Sequence, residues 1–219
     1  MSDPDSTPRE RVLAAASDIF ARSGYDGARV EEIAERAGVN KAMIYYHVGD
    51  KSEIYATVLA QRADSLFRDL GDAIAKQRGP EEKLRAAIET VARAATTNPH
   101  FAPMMLREIA SGGAGLPPSV LQKAFAVFAV FQRILDEGRR EGTFRRIDPV
   151  STHMTIAGVV MLLAAGAPLR ARLRALDGVP PPFPPERGAR ELAAHVFDLV
   201  THGLLRERDD VAPAPKRNS

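Results

Sequence analysis

Cysteine is absent from the 219-residue sequence. The chain therefore forms no disulfide, offers no thiolate to a metal and has no cysteine nucleophile, and this composition suits a reducing cytoplasm. The N-terminal segment MSDPDSTPRE is acidic and polar, and it lacks the apolar core of a signal peptide. We therefore expect a cytoplasmic protein.

Bulk positive charge is also missing. The formal net charge is only +2, and the first 51 residues hold seven Lys and Arg against nine Asp and Glu. No long basic stripe indicates nucleic-acid binding. If DNA is a partner, the placement of a few cations must matter more than the total charge.

Catalytic motifs are missing as well. The five histidines are scattered, and we find no HExxH motif, no phosphate-binding glycine loop and no nucleophile elbow. The acidic pairs Glu31–Glu32 and Glu81–Glu82 lie in predicted first helical turns, where the helix dipole already favours acids. The histidines also lack close-spaced carboxylate partners for a metal. We predict no enzyme activity, no cofactor and no metal site.

Helical periodicity dominates what is present, and no convincing strand occurs. Hydrophobic residues make up 45% and charged residues 26% of the chain, as in an ordinary folded protein. We predict an all-α fold of about nine helices, near residues 8–23, 30–37, 40–47, 51–78, 80–97, 99–111, 117–141, 149–169 and 187–206. A proline-rich linker precedes the last helix, and residues 208–219 are expected to form a disordered tail.

One long apolar run raises the question of a membrane. The run from Pro149 to Leu169 contains no formal charge and is long enough to span a bilayer. It is also rich in Ala, Gly, Ser, Thr and His, and Pro168 falls near its end. We expect a helix that is buried by other helices, with a membrane-associated bundle as the alternative.

The stretch EEIAERAGVNKAMIYYH meets the packing requirements of a helix-turn-helix. Ile33 and Val39 can fill the angle between the two helices, and Ala34 lets them approach each other. Gly38 falls in the turn, where a positive φ is favourable for glycine, and Ile44 returns to the core. A generic helical hairpin would satisfy the same apolar positions equally well.

The longer stretch IAERAGVNKAMIYYHVGDKSEIY closely resembles the DNA-binding signature of the TetR family of transcriptional regulators. The family pattern has an Ile-Ala pair, an Ala-Gly-Val turn, a Leu or Ile followed by Tyr, a His, an aromatic residue, and a Lys that opens the next helix. The resemblance covers about the first 55 residues, while the remainder agrees only in length and helical layout. Two positions depart from it: Val48 stands where Phe is usual, and Arg29 where Thr or Ser usually begins the second helix.

The resemblance implies that the second helix of the motif enters the major groove of DNA with its N-terminal end first. The implied DNA-binding residues are Arg29, Asn40, Lys41, Ala42, Tyr45, Tyr46, His47 and Lys51. The residues at 40–42 would lie nearest base edges, the tyrosines would reach phosphates, sugars or thymine methyl groups, and His47 would lie against the backbone. Lys51 would meet a phosphate, and Arg29 could replace a hydroxyl–phosphate bond with a charge-assisted one. For Tyr45 a partial packing role is the alternative.

The second half of the chain offers Met and Phe side chains that can line an adaptable apolar cavity. The candidate ligand-binding residues are Phe101, Met104, Met105, Phe125, Phe128, Met154 and Met161. Each of them could equally be an ordinary core residue. We expect Arg107 and Glu108 to form a mutual or neighbouring salt bridge rather than to bind a polar ligand.

A two-fold palindromic operator requires a dimer, and small residues in the helix after Pro149 permit close helix approach. The candidate dimer contacts are Ala157, Gly158, Val160, Leu162 and Ala165 in that helix, with Leu192, Val196 and Leu199 in the last one.

The sequence thus predicts a TetR-like regulator with a helix-turn-helix domain at 1–50 and a ligand-binding and dimerisation domain at 51–207. Its expected partners are double-stranded operator DNA, a small apolar or amphipathic effector and a second copy of the chain. The main hypothesis is a homodimeric repressor that the effector releases from a palindromic operator. The alternatives are an activator, a regulator without ligand response and, from another class, an all-α enzyme or a membrane-associated helical bundle. The operator, the effector and the regulated genes do not follow from the sequence.

Overall fold

The computed structural model describes residues 6–98, 100–113, 115–176 and 188–204. Within these ranges every regular element is an α-helix, which confirms the all-α prediction. The helices are α1 Pro8–Gly27, α2 Val30–Ala37, α3 Lys41–His47, α4 Lys51–Ala75, α5 Pro80–Thr97, α6 Phe101–Ala110, α7 Pro118–Arg140, α8 Pro149–Ala165, α9 Ala167–Arg174 and α10 Ala189–Leu204. The tail expected at 208–219 lies outside the described residues.

Side-chain caps determine where the functionally important helices begin. Asp50 accepts hydrogen bonds from backbone N–H groups in the first turn of α4, and Glu53 accepts one from the N–H of Asp50. This capping box starts α4 at Lys51, as predicted, and a cap of this kind contributes roughly 1 kcal/mol. Asp148 caps α8 by accepting a hydrogen bond from the N–H of Ser151 at 2.7 Å.

Two hydrophobic cores share α4. The first core joins α1, α2 and α3 to the first half of α4, and it includes Met104 of α6 and Val120 of α7. The second core joins the later part of α4 to α5, α7, α8 and α10. Along α4 the change falls between Leu59, in the first core, and Leu66, in the second. The division between the two cores therefore falls inside α4. The predicted domain boundary at residue 51 stays a prediction.

Several helix ends differ from the sequence prediction. α1 kinks at Gly24, where a φ of 73° is readily adopted by glycine, and then continues to Gly27. α4 ends at Ala75, about one turn earlier than predicted. α8 ends at Ala165, and Pro168 lies in the first turn of a separate helix, α9, which the sequence analysis did not distinguish. Proline has no N–H to continue a helical ladder, so the chain bends between the two helices.

α8 is covered on one face only. His153, Ile156 and Val160 are buried, whereas Met154 and Leu162 on other sides are exposed. Among the described residues, no single helix is long and apolar enough to cross a membrane, and α8 and α9 meet those criteria only together, across a 50° bend. The expectation of a helix buried by other helices is therefore correct for one face.

Candidate nucleic-acid interface

The turn between α2 and α3 is held by both helices. Gly38 has a φ of 65°, and the N–H of Val39 donates to the carbonyl of Ala34 at 3.0 Å. Ile33 of α2 and Ile44 of α3 are fully buried in the first core. Burial of one such side chain contributes roughly 2 kcal/mol. The packing predicted for a helix-turn-helix is therefore present, and α3 is firmly attached to α2.

The outer face of α3 turns two aromatic side chains to solvent. Tyr46 is 83% exposed and Tyr45 is 49% exposed, although the preceding Ile44 is fully buried. Ala42 is exposed on the same short helix, and His47 is half-buried with its ring 5.0 Å from the ring of Tyr46. Packing explains part of the Tyr45 surface and very little of the Tyr46 surface, so both rings are available to a partner.

The N-terminal end of α3 carries the side chains expected at base edges. The exposed Asn40 caps the helix through its side-chain oxygen, which accepts from the N–H of Met43 at 2.8 Å, and its amide NH₂ remains as a donor. The Nζ of Lys41 lies 2.5 Å from an oxygen of Glu31 and 5.9 Å from the ring centre of Tyr45. The hydrogen bond to Glu31 raises the pKa of Lys41, and the same bond lowers the pKa of Glu31. The sequence analysis did not predict this pair, which orients Lys41.

Two further predicted cations flank α3. The Nζ of Lys51, at the start of α4, donates to the backbone carbonyl of Asp26 at 3.2 Å and lies 4.7 Å from the ring centre of Tyr25. These contacts hold the ammonium group beside the end of α1. Arg29 directly precedes α2, is exposed and makes no side-chain cap, as its residue type implied.

Other arginines of the first domain are neutralised internally. Arg36 forms an ion pair with Asp18, and Arg22 lies 3.4 Å from Asp18 and 3.7 Å from Glu32. The nearly neutral composition thus contains an uneven arrangement. Asp18 and Glu32 are paired with arginines away from α3, while the cations predicted to contact DNA, of which Lys41 is paired with Glu31, lie on α3 and at its flanks.

Sequence reasoning missed a buried link between α4 and α6. Tyr55 donates a hydrogen bond to the carboxylate of Glu108, both side chains are buried, and Glu108 also accepts from the N–H of Gly115 at 3.2 Å. Burial, followed by the bond to Glu108, raises the pKa of Tyr55 and keeps the phenol protonated. Within the described residues the expected salt bridge of Arg107 with Glu108 is not formed, because Arg107 donates instead to the carbonyl of Arg22 at 2.9 Å.

The predicted ligand-binding residues are divided between the two cores. Met104 is buried in the first core and Met105 packs against it. Phe101 and Met161 pack against the second core. The division arises because α6 crosses from one core to the other, and the spacing of residues along the sequence does not show such a crossing.

The N-terminal part of α7 turns apolar side chains to solvent, among them the predicted ligand-binding residue Phe125. Phe125 is 67% exposed and Leu121 49% exposed. Phe128 is half-buried, with its ring 5.5 Å from that of His153 on α8. His153 is buried, its Nδ1 has no hydrogen-bond partner within the described residues, and burial lowers its pKa. Met154, the next residue, is 58% exposed. Phe125 and Met154 therefore lie at the surface of the single chain.

Clefts large enough for small molecules occur elsewhere. One of about 570 Å³ lies at the connection of α7 and α8, beside Arg145 and Arg146. Another of about 190 Å³ lies between α4 and α5, beside Arg62 and Arg93 and the start of α6. Phe101, one of the predicted ligand-binding residues, lines the smaller cleft.

Part of the predicted dimer interface is buried inside the single chain. Val160 of α8 and Leu192 and Val196 of α10 belong to the second core. These three side chains pack within their own chain, because α5, α8 and α10 contact one another. In the single chain these three side chains lie beneath the surface, and their contact with a second copy stays a prediction.

The other predicted dimer contacts reach the surface. Gly158, Leu162 and Leu199 are exposed, and Ala157 and Ala165 are half-buried. Four of the exposed residues of α8 follow one another at a spacing of four, which keeps them on one helical face: Val150, Met154, Gly158 and Leu162. A Cβ atom at Gly158 would meet no other atom within 4 Å, so another helix has room to approach closely there.

Comparison with known families matches both halves of the chain. Residues 12–58 match the model of bacterial regulatory proteins of the tetR family. Residues 80–175 match the tetracyclin repressor-like C-terminal domain. The chain belongs to the TetR family of transcriptional regulators. Its α2–α3 unit is the DNA-binding helix-turn-helix of that family.

The relatives of this TetR-family member include both a repressor and an activator. It is 28% identical to the transcriptional repressor NicS of Pseudomonas putida over 206 residues, which cover 90% of this chain and 92% of NicS. It is 38% identical to the transcriptional activator FasR of Mycolicibacterium smegmatis over 86 residues, which span only 39% of each protein. The chain is also similar to the solved structure of FadR from Bacillus subtilis in complex with stearoyl-CoA, with a TM-score of 0.70 and 18% sequence identity. The match covers 89% of this chain and 98% of the FadR chain, and it shows that the two proteins share a fold.

Proposed function

We propose that this TetR-family member is a cytoplasmic, homodimeric repressor that reads a palindromic operator through α3. The observation that carries the proposal is the division of α3 between the fully buried Ile44 and Tyr46, which is 83% exposed. A helix of this kind is fixed to its domain on one side. On the other side it presents hydrogen-bonding aromatic groups that contribute little to stability.

The geometry of major-groove docking assigns a role to each exposed side chain. A recognition helix enters the groove with its N-terminal residues at the base edges. The base-reading residues are then Asn40, Lys41 and Ala42, and the backbone contacts are Arg29, Tyr45, Tyr46, His47 and Lys51. At Lys51 the first-turn N–H groups of α4 add their own attraction for a phosphate.

The small number of cations gives the proposal a measurable electrostatic signature. Arg29 and Lys51 supply two phosphate-contacting cations per chain, or four in a dimer. Each neutralised phosphate contributes about −0.9 to the slope of log K against log salt concentration, so the dimer should show a slope of roughly −3.6. A strongly basic DNA-binding protein would show a steeper slope.

Dimerisation is supported by the exposed apolar stripe on α8. Met154 and Leu162 are 58% and 67% exposed, and Leu199 of α10 is 55% exposed. Exposed apolar groups in a continuous stripe favour association with a second apolar surface. Pairing of α8 and α10 with their two-fold equivalents would bury these side chains and hold two α3 helices at a fixed separation.

Control by a small molecule is supported by the way α4 joins the two cores. α4 carries Lys51 at one end and Leu70 in the second core, and its 25 residues span about 37 Å. A ligand in the second domain can therefore change the direction of a helix that touches DNA. The effector must bind the DNA-incompetent arrangement more tightly, since only differential affinity shifts the equilibrium. FadR, which shares the fold, holds stearoyl-CoA.

Activation of transcription is the second candidate, because FasR is an activator. The same DNA-binding surface serves both outcomes, since the position of the operator relative to the promoter decides between them. Transcription in vitro from the natural promoter, with and without the protein, separates the two. Lower transcript yield supports the repressor, and higher yield supports the activator.

Selection of genomic DNA fragments by the purified protein tests the main proposal. We expect enrichment of a palindrome whose half-sites lie about one helical turn apart or a multiple of it. The Tyr46→Ala variant should lose this enrichment, while the exposed control Ile109→Ala on α6 should keep it. Enrichment of no sequence by the wild-type protein, or equal enrichment by Tyr46→Ala, would contradict the proposal.

A further inference from the structure

The smaller cleft, between α4 and α5, brings two arginines to one concave surface. Arg62 lines it from α4 and Arg93 from α5, and its volume is about 190 Å³. Leu66 and Phe101 also line the cleft, and both belong to or pack against the second core. The cleft therefore combines cationic walls with an apolar part.

Neither arginine is neutralised by the described part of the chain. Within that part, Arg62 and Arg93 have no carboxylate within 4 Å, and Arg93 donates only a weak hydrogen bond to the hydroxyl of Thr90 at 3.3 Å. By contrast, Arg85, about two turns earlier on α5, pairs with Glu81. Both arginines line the same cleft, and an anion bound there can accept hydrogen bonds from their planar guanidinium groups.

The other groups in the cleft restrict the class of anion. Asp69 lines the same cleft, so the two arginines leave a formal surplus of one positive charge. A second negative charge on the ligand would face the Asp69 carboxylate without compensation, which favours a monoanion over a phosphate dianion. The volume is below the roughly 300 Å³ of typical drug-sized sites, and it suits a head group with a short apolar chain.

We propose that this cleft is the effector site and that it binds a small amphipathic carboxylate. Arg62 and Arg93 hold the carboxylate, and Leu66 and Phe101 contact the first carbons of its apolar chain. The proposal rests on the proposed function, because it assigns the effector of the same regulator. Since Arg62 and Lys51 are on one helix, about 16 Å apart along its axis, a ligand that ties α4 to α5 acts on the helix that touches DNA.

Isothermal titration of the full chain, without DNA, tests the binding step. The probes are octanoate, octanol and octyl phosphate, which share a tail and differ in the head group. We expect octanoate to bind, octanol to bind at least tenfold more weakly, and octyl phosphate to bind more weakly than octanoate. Arg62→Gln and Arg93→Gln should each weaken octanoate binding at least tenfold, and the control Arg68→Gln, exposed elsewhere on α4, should not.

Other outcomes overturn the assignment. Absence of octanoate binding, equal binding of octanol, tighter binding of octyl phosphate, or equal octanoate binding by the Arg62 and Arg93 variants would each do so. Operator affinity measured with and without octanoate then separates the two proposals. Octanoate binding without any change in operator affinity overturns the effector role and leaves DNA binding standing. Failure of the ligand-free protein to bind any operator overturns the proposed function itself.

Discussion

The buried hydrogen bond between Tyr55 and Glu108 leads to a sharp prediction about stability. Tyr55→Phe removes one O–H group and leaves the ring in place against Phe20 and Tyr25, whose ring centres lie 4.7 and 5.1 Å away. The substitution therefore creates no significant cavity. Its effect on the free energy of unfolding reports on the lost hydrogen bond alone.

The magnitude follows from the surroundings of the carboxylate. Glu108 is only 4% exposed, and after the substitution it keeps the N–H of Gly115 as a donor. A hydrogen bond to a charged group contributes about 1.5–3 kcal/mol, and a buried acceptor without its donor costs a similar amount. We expect Tyr55→Phe to lower the free energy of unfolding by about 2 kcal/mol. In a chain of this size that corresponds to a fall in Tm of about 4–8 °C.

Urea unfolding followed by circular dichroism measures this difference. All variants should be compared at one protein concentration, because association also stabilises the folded state. The matched control is Tyr46→Phe, which makes the same change at a side chain that is 83% exposed and should alter stability by less than about 0.5 kcal/mol. If Tyr55→Phe and Tyr46→Phe have the same stability within error, the reasoning about the buried pair is refuted.

Three further predictions concern charge, pH and assembly. Glu31→Gln should raise operator affinity several-fold in an anisotropy titration, because it removes a negative charge beside the DNA and frees Lys41. His153→Leu should remove the part of the pH dependence of the free energy of unfolding that arises from His153. Burial lowers the pKa of His153 below its ordinary 6.5, so as pH falls below that value the unfolded chain takes up a proton that the folded chain refuses. The wild-type free energy of unfolding should then fall relative to the variant by up to about 1.4 kcal/mol per pH unit between pH 6.5 and the lowered pKa. Leu162→Glu should convert the dimer to a monomer in light scattering, because it places a charge in the exposed apolar stripe of α8.

Matched controls make these three predictions decisive. Glu32→Gln, also in the first turn of α2, should change operator affinity less than Glu31→Gln does. His202→Gln, at an exposed position, should leave the pH dependence of stability as in the wild type. Ile109→Glu, on α6, should leave the dimer intact. If a control changes the measured quantity as much as the variant it is matched to, the role proposed for Glu31, His153 or Leu162, respectively, is contradicted.

The parts of the structure that follow from the sequence are those that depend on local chemistry. Gly38 marks the turn because a positive φ is favourable for glycine, and Ile33 and Ile44 mark the buried faces through their spacing. Asp50 and Asp148 mark helix starts because their carboxylates accept first-turn N–H groups. Each of these signals acts within a few residues of its own position, so the helix-turn-helix and these helix starts could be predicted from the sequence.

The parts that could not be predicted depend on long-range packing. Tyr55 and Glu108 are 53 positions apart, and nothing in the spacing around either residue indicates the other. On α7 and α8 apolar side chains occur on several faces, so periodicity does not distinguish Phe125 and Met154, which are exposed, from buried positions such as Val160. Which of these faces turns inward is decided by the neighbouring helices.

The central claim, that α3 and the start of α4 form the DNA-binding surface, is tested most directly by the salt dependence of operator binding. The measurement is an anisotropy titration of the selected operator between about 50 and 200 mM salt, for wild type, Lys51→Ala and the control Lys76→Ala at the far end of α4. Lys51→Ala should weaken binding and make the slope less negative by about 1.8 for a dimer, since each chain loses one phosphate contact. Lys76→Ala should behave as the wild type. Identical affinity and slope for the two variants would contradict the account.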